Sequence, residues 1–408
     1  MSAPTTISTS ESSGMNRWVL RIGYLLCGLT FLLIVWGGHV NTTRSGMAFP
    51  DWPTSNAAPM VTYSPAKWLM EGDKFWEHGH RLFASLVGLV TTILMVLAYR
   101  SIPVSRRPTL LVRGLIVSIL AIIITAVFGF NDMPAGFMET FMAVLAVAVV
   151  GFLFKSTRVV RNDRILWLSF AAFSLVCLQG AFGGYTVRNN LPDWTSTTHA
   201  MLAEIFLMIV IGITYLAKKN QGSELAHRSE KVISSPSSSI LRPLISVSWG
   251  LTFIQFFLGA LTRHTDAWAV SASWPQWSSE GFFPDASLFQ YGQVVIHFAH
   301  RTMAYLVAAF VVWQWWAVRQ AHGRSKSLPS ALVRTTTYAA LVVFIQIVLG
   351  AAILWTSRGE IITTAHVMMG VGLLALNTIA LFTVSGGEYN VGSSDARHRL
   401  DVAAGEGR

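Results

Sequence analysis

Four histidines carry the first chemical signal in this chain. His80, His199, His300 and His366 each fall within the first turns of an apolar run, at a shared depth from its outer end. An ionisable side chain inside such a run is costly to bury in a membrane and marks a functional site by default. Two imidazoles on facing helices suit one ligand geometry in particular. A porphyrin iron offers an axial position on each face, and a helix bundle fills both without breaking its own backbone hydrogen bonds. The expected pairs are His80 with His199 and His300 with His366, each holding one haem. No Cys-x-x-Cys-His motif occurs, so any haem is held noncovalently.

Around these histidines the two halves of the chain differ. Glu77 lies three residues before His80 and so on the same helical face, whereas the equivalent place before His300 is His297. A carboxylate at a haem edge can take up or release protons, and His297 is a candidate supporting group in the other half. Arg81 and Arg301 each follow a candidate ligand at the outer interface, where a guanidinium suits haem propionates; snorkelling to lipid headgroups is the competing reading. His39, His78 and His264 fall in outer loops or at a helix start and read as solvated.

Positioning these groups requires membrane helices. Of 408 residues, 52% are hydrophobic and only 12% charged, against a charged fraction of about 25% in soluble domains. That composition excludes a disordered chain and a disulfide scaffold, and Cys27 and Cys177 both sit in apolar runs. Spans are expected near 18–38, 77–99, 111–130, 137–155, 165–185, 197–217, 243–263, 293–317, 334–356 and 361–383. The net charge of +10 comes from short cation clusters between the runs, without the aromatic-interleaved basic patch that nucleic acid needs. Most of the 30 Lys and Arg residues, among them Arg17, Arg21, Arg100, Lys155, Lys218 and Arg319, fall on one side, which places both termini in the cytoplasm. Residues 1–16 read as a disordered cytoplasmic tail, with no cleaved signal peptide expected.

An internal duplication organises the rest. Gly38, His39, Thr43 and Arg44, then Asp51-Trp52-Pro53 and Glu77-x-x-His80-Arg81, are echoed by Gly259, Leu261, Arg263 and His264, then Trp274-Pro275 and His297-x-x-His300-Arg301. Each half continues with a Gln-x-x-x-Gly helix end, Gln179 to Gly183 and Gln346 to Gly350, and then with a helix opening on His199 or His366. The fold expected is an all-α polytopic membrane protein of two pseudo-symmetric four-helix bundles plus an inserted helical hairpin at 111–155, about ten helices in all. The halves are expected at 17–220 and 243–385, joined by a cytoplasmic linker at 221–242 and followed by a tail at 386–408.

The set Thr43-Arg44-Ser45-Gly46, Asp51-Trp52-Pro53, Glu77-x-x-His80-Arg81, Gln179 with Gly183-Gly184, His199, Arg263, His300-Arg301 and His366 resembles the haem A synthase family over about residues 18–385. The resemblance implies an inner-membrane enzyme that oxidises the C8 methyl of haem O to the formyl group of haem A for the terminal oxidase. It implies further that His80 and His199 hold the substrate haem, that Glu77 is catalytic, and that His300 and His366 ligate a haem b cofactor. Haem O synthase and oxidase assembly factors are the implied partners, with no electron donor identified. Two departures stand out: the first outer loop lacks the cysteine pair some members carry, and the hairpin at 111–155 has no counterpart in the second half.

A two-haem quinol or electron-transfer cytochrome would use the same four histidines but gives no reason for Glu77 in one half only. A repeat-built transporter would want helices broken at the bilayer midplane, whereas the polar groups here crowd the outer ends. A prenyltransferase would need paired Asp-rich motifs, of which Asn131-Asp132 is the only hint.

Overall fold

The computed structural model describes residues 9–102, 164–226, 237–279, 281–325 and 328–385. Among these residues there are eight long helices: α1 (Thr9–Thr42), α2 (Gly72–Arg100), α3 (Arg164–Arg188), α4 (Asp193–Ala226), α5 (Ser237–His264), α6 (Gly292–Ser325), α7 (Ser330–Trp355) and α8 (Glu360–Ser385). All eight contain stretches long and apolar enough to cross a membrane, and the chain is a multi-pass membrane protein. The eight match eight of the ten expected spans. The other two, 111–130 and 137–155, lie outside the described residues.

Bilayer burial explains the internal chemistry of these helices. Their hydroxyls fold back onto carbonyls one turn earlier, as Thr91 does onto Val87 and Thr378 onto Leu374, each at 2.7 Å, so that few polar groups face lipid. Large apolar side chains such as Leu32, Leu89, Leu341 and Phe344 are exposed along the same helices, as a lipid-facing surface requires.

The helices form two closed four-membered rings. In the first, α1 packs on α2 and α4, and α3 packs on the same two; in the second, α5 packs on α6 and α8, and α7 on the same two. The rings meet through α1 against α8, α4 against α5, and α4 against α8. The first two of these contacts are equivalent under the duplication and the third relates a helix to its own counterpart, so the halves are arranged about a pseudo-twofold axis. Backbone detail repeats as well. Left-handed residues occur at Arg44 and Asp266 after the first helix of each half, and at Asn190-Leu191 and Ser357-Arg358 after the third. Such conformations are uncommon outside glycine, so their recurrence marks one chain path built twice.

The loops at 43–71 and 265–291 are clamped onto the bundles by Arg81 and Arg301. Arg81 donates to the carbonyls of Phe49 (2.6 Å), Asp51 (2.8 Å) and Thr54 (3.0 Å). Arg301 donates to the Ser271 hydroxyl (3.0 Å) and to the carbonyls of Ser273 (2.8 Å) and Gln276 (3.0 Å). The two triplets have the same internal spacing, so one clamp serves both halves. Trp52 completes the first cap, its ring lying so close over Gly184 of α3 that no side chain would fit beneath it.

A candidate bis-histidine site in each half

Each of the four histidines rests on a helical glycine. A Cβ placed on Gly37 of α1 would lie 2.8 Å from His80 Cε1. The corresponding distances are 3.1 Å from Gly183 (α3) to His199, 3.1 Å from Gly259 (α5) to His300, and 3.3 Å from Gly350 (α7) to His366. In every case the preceding helix supplies the glycine, and without a Cβ the ring sinks between the helices instead of standing off. This pairing shifts the register of the repeat by one residue: Gly37, not Gly38, is the counterpart of Gly259.

One turn below three of these glycines lies a glutamine: Gln179, Gln346 and Gln255. Gln179 donates to the His199 carbonyl at 3.0 Å, and Gln255 Nε2 lies 3.1 Å from His300 Nδ1. The Oε1 atoms of all three are buried without a partner. Amide oxygen and nitrogen are assigned from the hydrogen-bond network. Turning the Gln255 amide over lets its orphaned Oε1 accept from His300 Nδ1–H, which leaves the Nε2 lone pair of that ring for a metal.

The His300 and His366 rings lie 6.5 Å apart, centroid to centroid, at an interplanar angle of 76°. Two metal–imidazole bonds of about 2 Å and two ring half-widths of roughly 1.1 Å give roughly 6.2 Å, so the spacing fits one iron between them. In the first half His80 and His199 come near enough to interact electrostatically. The Nδ1 atoms of His80, His199 and His366 are buried without a hydrogen bond. Buried polar groups are normally paired. His366 is turned the other way from His300, its Nε2 lying 3.4 Å from Gln346 Nε2, so each ring keeps one nitrogen free for a group these residues could hold. Among the described residues no cluster of three or more His, Cys, Asp or Glu side chains forms a metal site from protein alone. A pair of axial imidazoles suits a metal whose other positions are filled by a macrocycle.

Glu77 is buried beside this site, 3% exposed, with Arg81 and the backbone amides of Phe49 and Ala48 bearing on its carboxylate. Oε1 pairs with Arg81 and Oε2 accepts from the Phe49 amide at 2.8 Å. His297, its counterpart, packs against Trp277 with ring centroids 5.4 Å apart, and its Nδ1 has no partner. Arg81 and Arg301, candidate propionate contacts by sequence, direct their terminal nitrogens at the loops they close. His78 is fully buried, bonded to Ser55 at 3.1 Å, rather than solvated, and His39 bonds Thr364 at 3.0 Å. Cys27 and Cys177 are free thiols in half-buried positions.

Two further residues went unread in the sequence. Gln255 completes a third Gln-x-x-x-Gly motif, visible from the other two. Glu204, five residues after His199, is fully buried with both oxygens unpartnered. Its signal was a lone acid inside an apolar run.

A duplicated membrane bundle with a histidine pair near the same end of each half defines a class of membrane proteins that could hold a prosthetic group in each half. The comparisons are more specific. The chain belongs to the COX15-CtaA family of cytochrome oxidase assembly proteins, whose model matches residues 20–133 and 133–378. It is similar to proteins named Heme A synthase. It is 22% identical to the one from Methylobacterium radiotolerans over 90% of this chain and 89% of that protein. The Flavobacterium psychrophilum protein is 24% identical over 88% of this chain and 96% of its own length. The one from Symbiobacterium thermophilum is 30% identical over 39% of this chain, a match that spans 50% of that protein.

Proposed function

We propose that this chain is a haem A synthase, oxidising the C8 methyl of haem O to a formyl group by successive hydroxylation for terminal oxidase biogenesis. The observation that carries the reading is the repeated seat: four imidazoles on four helix glycines, paired within each half, in a chain of the cytochrome oxidase assembly family. On this reading the half at 17–220 takes the substrate and the half at 243–385 the cofactor. The protein lies in the inner (plasma) membrane with both termini cytoplasmic, as the cation bias supports.

His80 and His199 hold and orient the substrate haem, with Gly37 and Gly183 setting how deep each ring sits. His300 and His366 hold haem b, which supplies a one-electron redox centre when bound. Where the oxygen comes from water, taking the methyl to the aldehyde releases four electrons to an external electron acceptor and four protons, so a proton acceptor is needed near the reacting carbon. Glu77 is that acceptor. A carboxylate has about four lone-pair sites, more than Arg81 and the amides of Phe49 and Ala48 fill. Arg81 fixes its position and closes the loop above it, which keeps bulk water from the site.

The test is chromatographic separation of haems from membranes co-expressing a haem O source. Wild type is expected to accumulate haem A. Glu77→Gln should retain haem b while turnover falls by at least the roughly 10²-fold typical of a lost acid–base group. Purified wild type that carries haem B alone and converts nothing would instead make this a two-haem electron-transfer cytochrome.

A further inference from the structure

The duplication places one unmatched charge between the two histidine pairs. Asn41 and Arg263 are counterparts, each four residues after the glycine beneath an imidazole, and they are bonded to each other through Arg263 Nε and Asn41 Oδ1. Two equivalent positions that touch lie on the axis relating the halves. Arg263 is therefore about 6 Å, one helical turn, outward from Gly259 and stands beside both pockets. Its charge reaches His366, and its neighbour His264 interacts with His199.

Arg263 donates only to neutral acceptors of α1. Its Nη2 bonds the Gly38 carbonyl and the Thr42 hydroxyl, and its Nη1 has no partner among the described residues. No carboxylate among the described residues pairs with it. Asp266, three residues further on, is shared by Arg44 and Arg358, each at 3.7 Å. The Asn41 amide donates to His264 at 3.2 Å, so the surroundings supply donors and neutral groups rather than a counter-charge. A guanidinium also suits the carbonyl end of a helix such as α1. That role uses Nη2 and leaves Nη1 without a function, and a half-buried cation lacking an anion is costly.

Resting on the haem reading above, we propose that Arg263 binds a carboxylate of the porphyrin seated between His300 and His366, with Nη1 as the unused donor. Arg81 and Arg301 turn both of their terminal nitrogens to groups of their own half, whereas Arg263 keeps Nη1 free among the described residues. A propionate at Arg263 would complete the charge balance that the protein itself leaves open, and it would fix the rotation of the macrocycle about the axis joining the two imidazoles.

The experiment uses the full-length chain in detergent, purified from haem-deficient cells, in a His199→Ala background so that only the His300 and His366 pair gives a six-coordinate signal. It is titrated with haem b and separately with the dimethyl ester of haem b, whose propionates carry no charge. The protein with Arg263 intact is expected to prefer the free acid by about tenfold or more, the size of a charge-assisted hydrogen bond. Arg263→Gln should bind both forms alike, Arg263→Lys should keep part of the preference, and Asn41→Ala, which loosens the seam without removing the charge, should keep it. Equal binding of the two forms with Arg263 intact overturns the proposal, as does an undiminished preference in Arg263→Gln. If neither form gives a low-spin signal with Arg263 intact, the haem reading itself fails, which is a distinguishable result.

Discussion

Adding one methyl beneath each imidazole tests whether the four glycines are seats. In Gly37→Ala the new Cβ would stand 2.8 Å from His80 Cε1, against the 3.4 Å at which ordinary contact begins, a deficit of 0.6 Å. Metal–ligand distances tolerate displacements of about 0.2 Å, so a ring pushed out that far can no longer ligate as before. Overpacking of this kind costs about 1–3 kcal/mol, partly offset by the ~1 kcal/mol that alanine gains over glycine in a helix. Where the strain falls on the bound state, it weakens haem retention by roughly 5- to 140-fold. The series should be ordered by distance: Gly37→Ala worst, Gly183→Ala and Gly259→Ala (3.1 Å) intermediate, and Gly350→Ala (3.3 Å) mildest. Gly88 and Gly250 have nothing within 4 Å of a built Cβ, so their alanine variants are the controls and should be neutral or slightly stabilised. The assay is low-spin haem absorbance per mole of purified protein, with thermal unfolding measured alongside. If Gly37→Ala retains haem as well as Gly88→Ala does, close approach of the ring is not why glycine stands there.

Other outcomes follow from the same geometry. His300→Ala or His366→Ala should each abolish the six-coordinate low-spin haem b spectrum, because one axial imidazole remains; a spectrum unchanged in both variants contradicts the assignment. A topology reporter fused after Ala321 should read cytoplasmic and one at Ser278 external, and the reverse at either point overturns the orientation. Arg81→Met should destabilise the protein by about 3–5 kcal/mol, since it strands the buried Glu77 carboxylate and frees three loop carbonyls. Protease sensitivity around residues 49–54 should rise with it, and an unchanged melting temperature would show that the clamp carries little.

The spans were readable because a bilayer imposes a length of about 20 apolar residues, a constraint local to each run. The four histidines were readable for the same reason, as polar groups standing where apolar ones are required. Glu204 obeys that rule too and was missed only for want of a motif around it. What the sequence hid depends on chain paths that no local pattern records. Arg81 and Arg301 look like interfacial cations until the loops fold back over them, and His78 looks solvated until Ser55 and its aromatic neighbours enclose it. The one-residue shift from Gly38 to Gly37 likewise becomes visible only when the imidazole is seen resting on the helix.

The Arg263–Asn41 contact has a bearing on why the two halves share one polypeptide. A symmetric pair of identical halves would place the same residue twice at that position, setting two guanidiniums against each other or leaving two amides with no charge. Covalent fusion removes that restriction, since each copy of the position can take its own residue. It also holds the halves at a fixed one-to-one ratio, so every molecule carries one arginine and one asparagine where they meet. The linkage thus makes a chemical asymmetry heritable at the very place where the architecture is most symmetric.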